Sequence, residues 1–208
     1  DNQSATTADS PHRQESAPTP AGNPLLDVAY IAVFAALIIA LAFVAIPVGA
    51  AGVPIVLQNA AVILAGLILG RTRGFLTALL FLGLGLIGLP VLAGGKTTLA
   101  ALGGPTIGYL VGYLVSATVA GSIAYLAPRG NRKALTIYLA LGAIAALACQ
   151  YLCGSVGMMF RADMSFGQAL AVNVPFLIPD LVKAACVVAI ASGVHLSLPD
   201  IRRKAFLK

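Results

Sequence analysis

Charged residues are scarce in this 208-residue sequence, and that scarcity excludes a soluble globular fold. Asp, Glu, Lys and Arg make up 10% of the chain, whereas 59% of its residues are apolar. Soluble globular domains typically contain about a quarter charged residues. Apolar runs long enough to cross a bilayer recur along most of the sequence. We therefore predict an all-α, polytopic integral membrane protein.

The sequence also lacks the residue clusters that metal and nucleotide sites require. Its cysteines, Cys149, Cys153 and Cys186, lie inside apolar runs with no nearby His or carboxylate to complete a metal set, so we expect packed apolar side chains. Gly95-Lys96-Thr97 resembles the end of a phosphate-binding loop, but Pro90 stands where the first glycine is needed. We expect no metal, no ATP site and no cofactor bound by this chain.

The composition divides the chain into three regions. Residues 1–24 are rich in Ser, Thr, Pro and Gln and are predicted to be a disordered tail, without the basic and apolar regions of a secretory signal. Residues 25–199 form the predicted membrane domain, and residues 200–208 form a basic cytoplasmic tail. Six membrane spans are predicted, in chain order: Leu25–Ile46, Pro54–Gly70, Phe75–Gly88, Pro105–Leu126, about Ala134–Cys153, and Val172–Leu198.

The distribution of basic residues predicts the orientation in the membrane. Six spans place both termini on one side. The connections and tail on that side hold most of the cations: Arg71, Arg73, Arg129, Arg132, Lys133, Arg202, Arg203, Lys204 and Lys208. The opposite connections contain Lys96 and Arg161 alone. The positive-inside rule therefore places both termini in the cytoplasm. We expect the membrane to be the inner (plasma) membrane of a prokaryote. The net charge of +6 is then a topology signal, and we expect no nucleic-acid binding.

Two charged residues lie inside the last span, where charges are costly. Asp180 and Lys183 are three residues apart, so they lie on one helical face and can pair or bind one ligand together. A charge at mid-bilayer costs roughly 2.5–3.5 kcal/mol by insertion scales, and such residues usually mark a site or pathway. Pro179 predicts that the helix kinks or begins there, which would place Asp180 in a first turn. The alternative is an ion pair that only orients the helix.

Other polar residues are predicted to lie at the same depth as this pair. They begin or end spans in the outer half of the bilayer: Gln58, Asn59, Thr106, Tyr109, Gln150, Tyr151 and Asn173. The glycine-rich segment 89–104 is predicted to fold over them as a lid, and almost nothing comparable is expected in the inner half. Amide, carboxylate and lysine side chains together suit a small amide- or urea-like ligand that has a carboxylate.

Four segments, in this order, resemble one family. They are Val53-Pro54-Ile55 with Gln58, Gly88-Leu89-Pro90-Val91 with Ala93-Gly94-Gly95, Gly104-Pro105-Thr106 with Gly108-Tyr109-Leu110, and Pro179-Asp180 with Lys183. Over about residues 28–198 the chain resembles the BioY family, the biotin-specific S components of energy-coupling-factor (ECF) transporters.

The resemblance implies that biotin is captured from outside in a pocket under the 89–104 segment. It also implies delivery through a transmembrane coupling protein and cytosolic ATPases, which would use the ATP. Ala32, Ala36 and Ala40 form a smooth stripe at four-residue spacing, and the resemblance implies that this stripe docks the coupling protein. The predicted substrate-binding residues are Gln58, Asn59, Gly95, Thr106, Tyr109, Tyr151, Asn173, Asp180 and Lys183.

Two questions stay open at this point. Lys183 could neutralise either Asp180 or the carboxylate of the ligand. The chain could also be a self-sufficient, proton-coupled secondary transporter of a small carboxylate-bearing solute, with Asp180 as the coupling group. An enzyme is not expected, because no His-rich set or nucleophile–base pair lies near the predicted outer mouth.

Overall fold

The computed structural model describes residues 22–46 and 55–202, and most of them are helical. The helices run, in chain order, Pro24–Ala42 (α1), Gln58–Leu69 (α2), Arg71–Leu86 (α3), Thr98–Ala101 (α4), Ile107–Ala124 (α5), Arg132–Arg161 (α6), Phe166–Ala171 (α7) and Val174–Ser197 (α8). Two short strands, Ala45–Ile46 (β1) and Ile55–Val56 (β2), pair antiparallel. A 3₁₀ turn, Pro199–Arg202, follows α8. Most of the predicted tail 1–24, the predicted turn Gly49–Val53 and residues 203–208 lie outside the described residues.

Four of the helices are long and apolar enough to cross a membrane. They are α1, α5, α6 and α8, with 19, 18, 30 and 24 residues. The fold is therefore mostly helical and membrane-type, as predicted. Helices α2 and α3 have 12 and 16 residues, fewer than the roughly 20 that a lipid-exposed span needs. Six crossings thus remain a prediction.

Helix α2 lies at the centre of the bundle. All of its residues except Asn59 are buried, and it packs against α1, α3, α5, α6 and α8. Its sequence, QNAAVILAGLIL, is apolar all round after the first two residues, and such a helix is stable when other helices cover every face. The polar residues at the start of α2 therefore lie at one end of an otherwise apolar stretch of the core.

Small residues allow α5 and α6 to pack very closely. A Cβ atom added to Gly108 would lie 2.2 Å from the carbonyl oxygen of Cys153, and one added to Gly157 would lie 2.6 Å from the Cα of Gly108. No side chain fits in so little space, so glycine is required at this crossing. The four-residue spacing of small residues from Gly104 to Ala124 predicts a close packing seam between helices. That seam is confirmed from Gly108 to Ala124, because its small residues are buried.

The first and third predicted spans differ from the structure at one end each. Helix α1 ends at Ala42 and residues Ala45–Ile46 form a strand, and α3 begins at Arg71 rather than Phe75.

Two further predicted boundaries are wrong. The fifth span does not end at Cys153 but continues as α6 to Arg161, because Gly157 packs on α5 and holds the last turns in the bundle. The predicted connection 154–171 is therefore largely helical. Helix α8 begins at Val174, ahead of Pro179, so Asp180 lies in the second turn rather than the first. A proline removes one backbone hydrogen bond, and the packed helix tolerates that loss here.

Candidate functional site

Asp180 joins three helices through hydrogen bonds and an ion pair. Its Oδ1 lies 2.5 Å from Lys183 Nζ on the same helix and accepts a 3.2 Å hydrogen bond from Asn59 Nδ2 on α2. Its Oδ2 accepts a 2.5 Å hydrogen bond from the hydroxyl of Tyr151 on α6. We call Asn59, Tyr151, Asp180 and Lys183 the Asp180 cluster. The side chain of Asp180 is only 5% exposed, so its charge depends on these partners.

Lys183 has three acceptors for its three N–H groups. Besides Asp180, its Nζ donates at 2.8 Å to Asn59 Oδ1 and at 2.8 Å to the Val56 carbonyl, beside the start of α2. The amide of Asn59 thus bridges the two charges, donating to the carboxylate and accepting from the ammonium. An ammonium group has three donors, so this arrangement satisfies it fully.

A second hydrogen-bonded group lies one helix turn farther along α6, at the start of α8. Tyr109 on α5 donates at 2.5 Å to Asn173 Oδ1, and Asn173 Nδ2 donates at 3.0 Å to Ser155 Oγ on α6. Sequence reasoning missed Ser155, because it was assigned to a connection. It follows Tyr151 by four residues on one helical face, so extending the fifth helix would have identified it.

Gln58 is directed away from Asp180 and anchors the predicted lid. Its Nε2 donates at 2.7 Å to the carbonyl of Val91 in the 89–104 segment and at 3.4 Å to that of Ile38 on α1. Gln150, in contrast, supports the Asp180 cluster from below. It donates to the backbone carbonyl of Asn59 at 3.3 Å and to Ser116 at 3.1 Å.

Two of the predicted binding residues lie on the surface without a link to these groups. Gly95 is exposed, with φ of 72°, in a turn closed by the bridge between Leu92 and Lys96. Thr106 precedes α5, is exposed and makes no capping hydrogen bond. Among the described residues, no hydrogen bond joins either of them to Asp180. Their part in binding remains a prediction.

The alanine stripe on α1 faces outward. Ala32, Ala36 and Ala40 are exposed, while Ile31 and Ile38 are buried on the opposite face. The exposed face is therefore smooth enough for another helix to approach closely.

The prediction that the other end of the bundle holds little polarity is wrong. Arg73, counted above as a connection charge, is 1% exposed and lies inside α3. It pairs with Asp27 on α1 at 3.3 Å, and it donates to the hydroxyl of Tyr125 at 3.0 Å and to the Ile201 carbonyl at 2.7 Å. We call Asp27, Arg73, Tyr125 and Ile201 the Arg73 cluster. A glycine precedes α3, and a glycine followed by arginines is typical of a turn. Only the tertiary structure reveals that Asp27 on α1 is the partner of Arg73.

His195 belongs to this same end of the bundle. Its Nε2 lies 2.7 Å from the Leu67 carbonyl, and its ring packs against Tyr125 with centroids 6.0 Å apart. Its position near the cytoplasmic end of the last predicted span predicts a capping or interfacial role for His195. That prediction is wrong in detail, because the ring is buried and bonds a neighbouring helix.

Two cavities lie near the Arg73 cluster. The larger, of about 560 Å³, is lined by residues between Leu69 and Arg71, by the end of α5 with the turn after it, and by Arg202. The smaller, of about 240 Å³, is lined by the turn between α5 and α6, the start of α6, the end of α8 and the 3₁₀ turn. None of the predicted binding residues lines either cavity. The Asp180 cluster lies about 25 Å away along α8, at 1.5 Å per residue. The described residues contain no group of three or more His, Cys, Asp or Glu side chains that could hold a metal ion.

Comparisons with known proteins agree on one family. The model of the BioY family matches residues 12–200. The biotin transporter BioY of Rhodobacter capsulatus is 42% identical over 168 residues, which cover 76% of this chain and 86% of that protein. The biotin transporter BioY of Thermotoga maritima is 36% identical over 172 residues, which cover 82% and 95%. The crystal structure of the S-component for biotin from an ECF-type ABC transporter has a TM-score of 0.70 and 30% identity, and the match covers 82% of this chain and 90% of that chain.

Proposed function

Because this chain belongs to the BioY family, we propose that it captures biotin from outside the cell as the S component of an ECF importer. Like its relatives, it is a membrane transport protein for biotin, and it is not an enzyme. The likeness to an S component favours this role over a self-sufficient secondary transporter. The observation that supports the binding site most directly is the Asp180 cluster. An amide group from α2, a hydroxyl group from α6 and the charged groups of α8 meet there.

The proposed orientation has six crossings and both termini in the cytoplasm of a prokaryotic cell. The short length of α2 does not conflict with six crossings, because other helices surround it and it need not match the thickness of the lipid. The basic residues near the ends of α2, α5 and α8 support a cytoplasmic location for those ends. The Asp180 cluster then lies in the outer half of the membrane, beneath the 89–104 segment.

In the proposed site, Asp180 and Asn173 bind the ureido group of biotin. A ureido group has two N–H donors and one carbonyl acceptor, which suit a carboxylate and an amide side chain. We assign Lys183 to Asp180 rather than to the carboxylate of biotin, because its three N–H groups already have the oxygens of Asp180, Asn59 and Val56. Lys183 would then hold the carboxylate of Asp180 in the orientation that the ligand needs.

Segment 89–104 is the proposed lid over this site. Gln58 binds the carbonyl of the buried Val91, and Ala101 on the far side of the segment is also part of the core. Between them, Gly95 and Lys96 are exposed in a turn. The proposed movement is therefore confined to this turn, because opening the whole segment would remove Val91 and Ala101 from the core.

Transport requires partners in this proposal. The exposed stripe of Ala32, Ala36 and Ala40 would dock the transmembrane coupling protein, and cytosolic ATPases would use the ATP. This chain would bind no cofactor of its own.

Biotin titration of the purified chain tests the site. Asp180→Asn and Lys183→Ala are expected to abolish or severely weaken binding, whereas the exposed controls Asp163→Asn and Lys133→Ala are expected to bind like the unmodified chain. Mass spectrometry of the small molecule that co-purifies should identify biotin. Unchanged affinity in both site variants would contradict the assignment of the site.

A second titration separates the two roles of Lys183. If Lys183 orients Asp180, Lys183→Ala should lower the affinity for biotin and the affinity for its methyl ester by similar factors. If Lys183 binds the carboxylate of biotin, the ester should already bind weakly to the unmodified chain and lose little more. Uptake into liposomes that contain this chain alone, and that stops when the proton gradient collapses, would support the secondary transporter instead.

A further inference from the structure

We infer that the larger cavity binds the phosphate group of an anionic phospholipid, at the end of the bundle opposite the Asp180 cluster. The cavity measures about 560 Å³, within the size range of small-ligand sites in proteins. Three arginines line it, one after α2, one in the turn after α5 and one in the 3₁₀ turn: Arg71, Arg129 and Arg202. This inference rests on the proposed orientation only for the leaflet that supplies the lipid.

The charge of the cavity is unbalanced among the residues that line it. None of them is an aspartate or a glutamate. The smaller cavity shares Arg129 and Arg202 with it and adds Arg132, again without a carboxylate. Burial lowers the pKa of Arg202, and the nearby Arg129 guanidinium lowers it further. Three guanidinium groups around one space attract an anion, and arginine matches the geometry of phosphate oxygens with paired N–H donors.

Arg202 is held in position to donate into this space. One guanidinium nitrogen donates at 3.0 Å to the Tyr125 carbonyl and at 2.8 Å to the Ala127 carbonyl. The guanidinium also lies 5.3 Å from the centre of the Tyr125 ring. These contacts fix the side chain through one nitrogen and one face, and a bound anion would contact its other N–H groups. Little side-chain entropy is then lost when an anion binds.

At this corner of the bundle, α5 packs on the turn between α2 and α3 too closely for any side chain to lie between them. A Cβ atom added to Gly121 would lie 2.3 Å from the carbonyl carbon of Gly70, so α5 meets the turn between α2 and α3 backbone to backbone. The first turn of α3 opens beside that contact, with Arg71 at its start and no side-chain cap at Gly70. Its positive dipole end adds to the attraction of the three arginines.

Apolar residues on the same cavity favour a lipid over a soluble phosphate. Leu69 and Leu126 line it together with the arginines, and Leu126 is 69% exposed at the end of a membrane-spanning helix. The cavity is therefore continuous with the lipid-facing surface. Basic pockets between helices at the cytoplasmic side of membrane proteins are typical headgroup sites.

Native mass spectrometry of the full chain in detergent tests the inference, with phosphatidylglycerol and phosphatidylcholine as probes. The unmodified chain should retain phosphatidylglycerol more tightly. Arg71→Gln and Arg129→Gln should each weaken retention about tenfold, because each removes a charge-assisted contact, and the double variant should weaken it further. Lys133→Gln is the matched control, since Lys133 lines neither cavity, and it should retain the lipid unchanged.

Four results would overturn the inference. The first is equal retention of the two lipids, and the second is retention that Arg71→Gln and Arg129→Gln leave unchanged. The third is displacement of phosphatidylglycerol by inorganic phosphate with equal affinity, which would assign the cavity to soluble phosphates. A fourth result is a chain that retains neither lipid but binds an added acidic segment of a partner protein. Biotin titration of the same samples reports separately on the proposed function, so either can fail alone.

Discussion

Within residues 22–46 and 55–202, two ion pairs with buried carboxylates lie one near each end of the bundle, and they are built differently. Asp180 and Lys183 are one turn apart on α8, and their partners come mainly from the side chains of Asn59 and Tyr151. Asp27 and Arg73 are 46 residues apart in sequence and are both 1% exposed. Arg73 also bonds the backbone at Leu69 and Ile201. The first pair can exchange partners without moving a helix, whereas the second holds several elements together.

This difference distinguishes a group that can bind a ligand from a structural clamp, by which we mean a group that holds several elements together. Side-chain partners such as Asn59 and Tyr151 can rotate toward a ligand. The Asp180 cluster can then replace hydrogen bonds within the protein by hydrogen bonds to the ligand. The Ile201 carbonyl cannot be replaced by a ligand without releasing the 3₁₀ turn. Arg73 therefore fastens the 3₁₀ turn to the bundle, at the end opposite the proposed binding site.

The largest expected effect is on stability, from Arg73→Gln. The change leaves the Asp27 carboxylate buried without its ion pair, and breaking a buried pair on one side costs about 3–5 kcal/mol. Thermal unfolding in detergent should show a large drop in Tm. Biotin affinity per folded molecule, measured at low temperature, should change little.

Arg71→Gln is the control for Arg73→Gln, because it removes an exposed arginine two residues away in the same helix turn. It should leave Tm nearly unchanged. If Arg73→Gln is as stable as Arg71→Gln, the Arg73 cluster is not a clamp and the contrast between the two ends fails.

An intermediate effect is expected from two matched tyrosine changes. Tyr151→Phe removes the hydroxyl that donates to Asp180, and a hydrogen bond to a charged group is worth about 1.5–3 kcal/mol. Biotin affinity should fall about tenfold or more, because Asp180 loses part of its orientation. Isothermal titration measures this loss.

Tyr125→Phe makes the same chemical change in the Arg73 cluster. Its hydroxyl donates to the Ile68 carbonyl at 2.7 Å and accepts from Arg73. We expect it to lower Tm and to leave biotin affinity intact. The opposite outcome, in which Tyr125→Phe weakens binding and Tyr151→Phe does not, would exchange the roles of the two ends.

Sequence reasoning predicted one of these ends and missed the other for a physical reason. The Asp180 pair is visible because its charges interrupt a long apolar run at helical spacing. Arg73 follows a glycine at the end of an apolar run, which is the usual pattern of a surface turn. Its burial depends on Asp27, in another helix, and no local pattern joins the two positions. Ser155 was missed because the end of a helix depends on packing, here between Gly157 and α5.

The smallest expected effect comes from Ser155→Ala and tests how far the binding site extends toward the start of α8. Ser155 accepts one neutral hydrogen bond from Asn173, and losing such a bond costs about 0.5–1.5 kcal/mol. The Asn173 amide keeps the carbonyls of Ala169 and Leu170 as acceptors, so biotin affinity should fall only a few-fold.

Ser122→Ala is the matched control for Ser155→Ala, since its hydroxyl bonds within α5 to the Thr118 carbonyl, far from Asp180. It should leave affinity unchanged. A loss in Ser155→Ala as large as that in Tyr151→Phe would mean that Asn173 depends on Ser155 for its orientation as strongly as Asp180 depends on Tyr151. The two hydrogen-bonded groups near α8 would then act as one site. No loss at all would mean that the carbonyls of Ala169 and Leu170 orient Asn173 without help from Ser155, and that Ser155 is not part of the site.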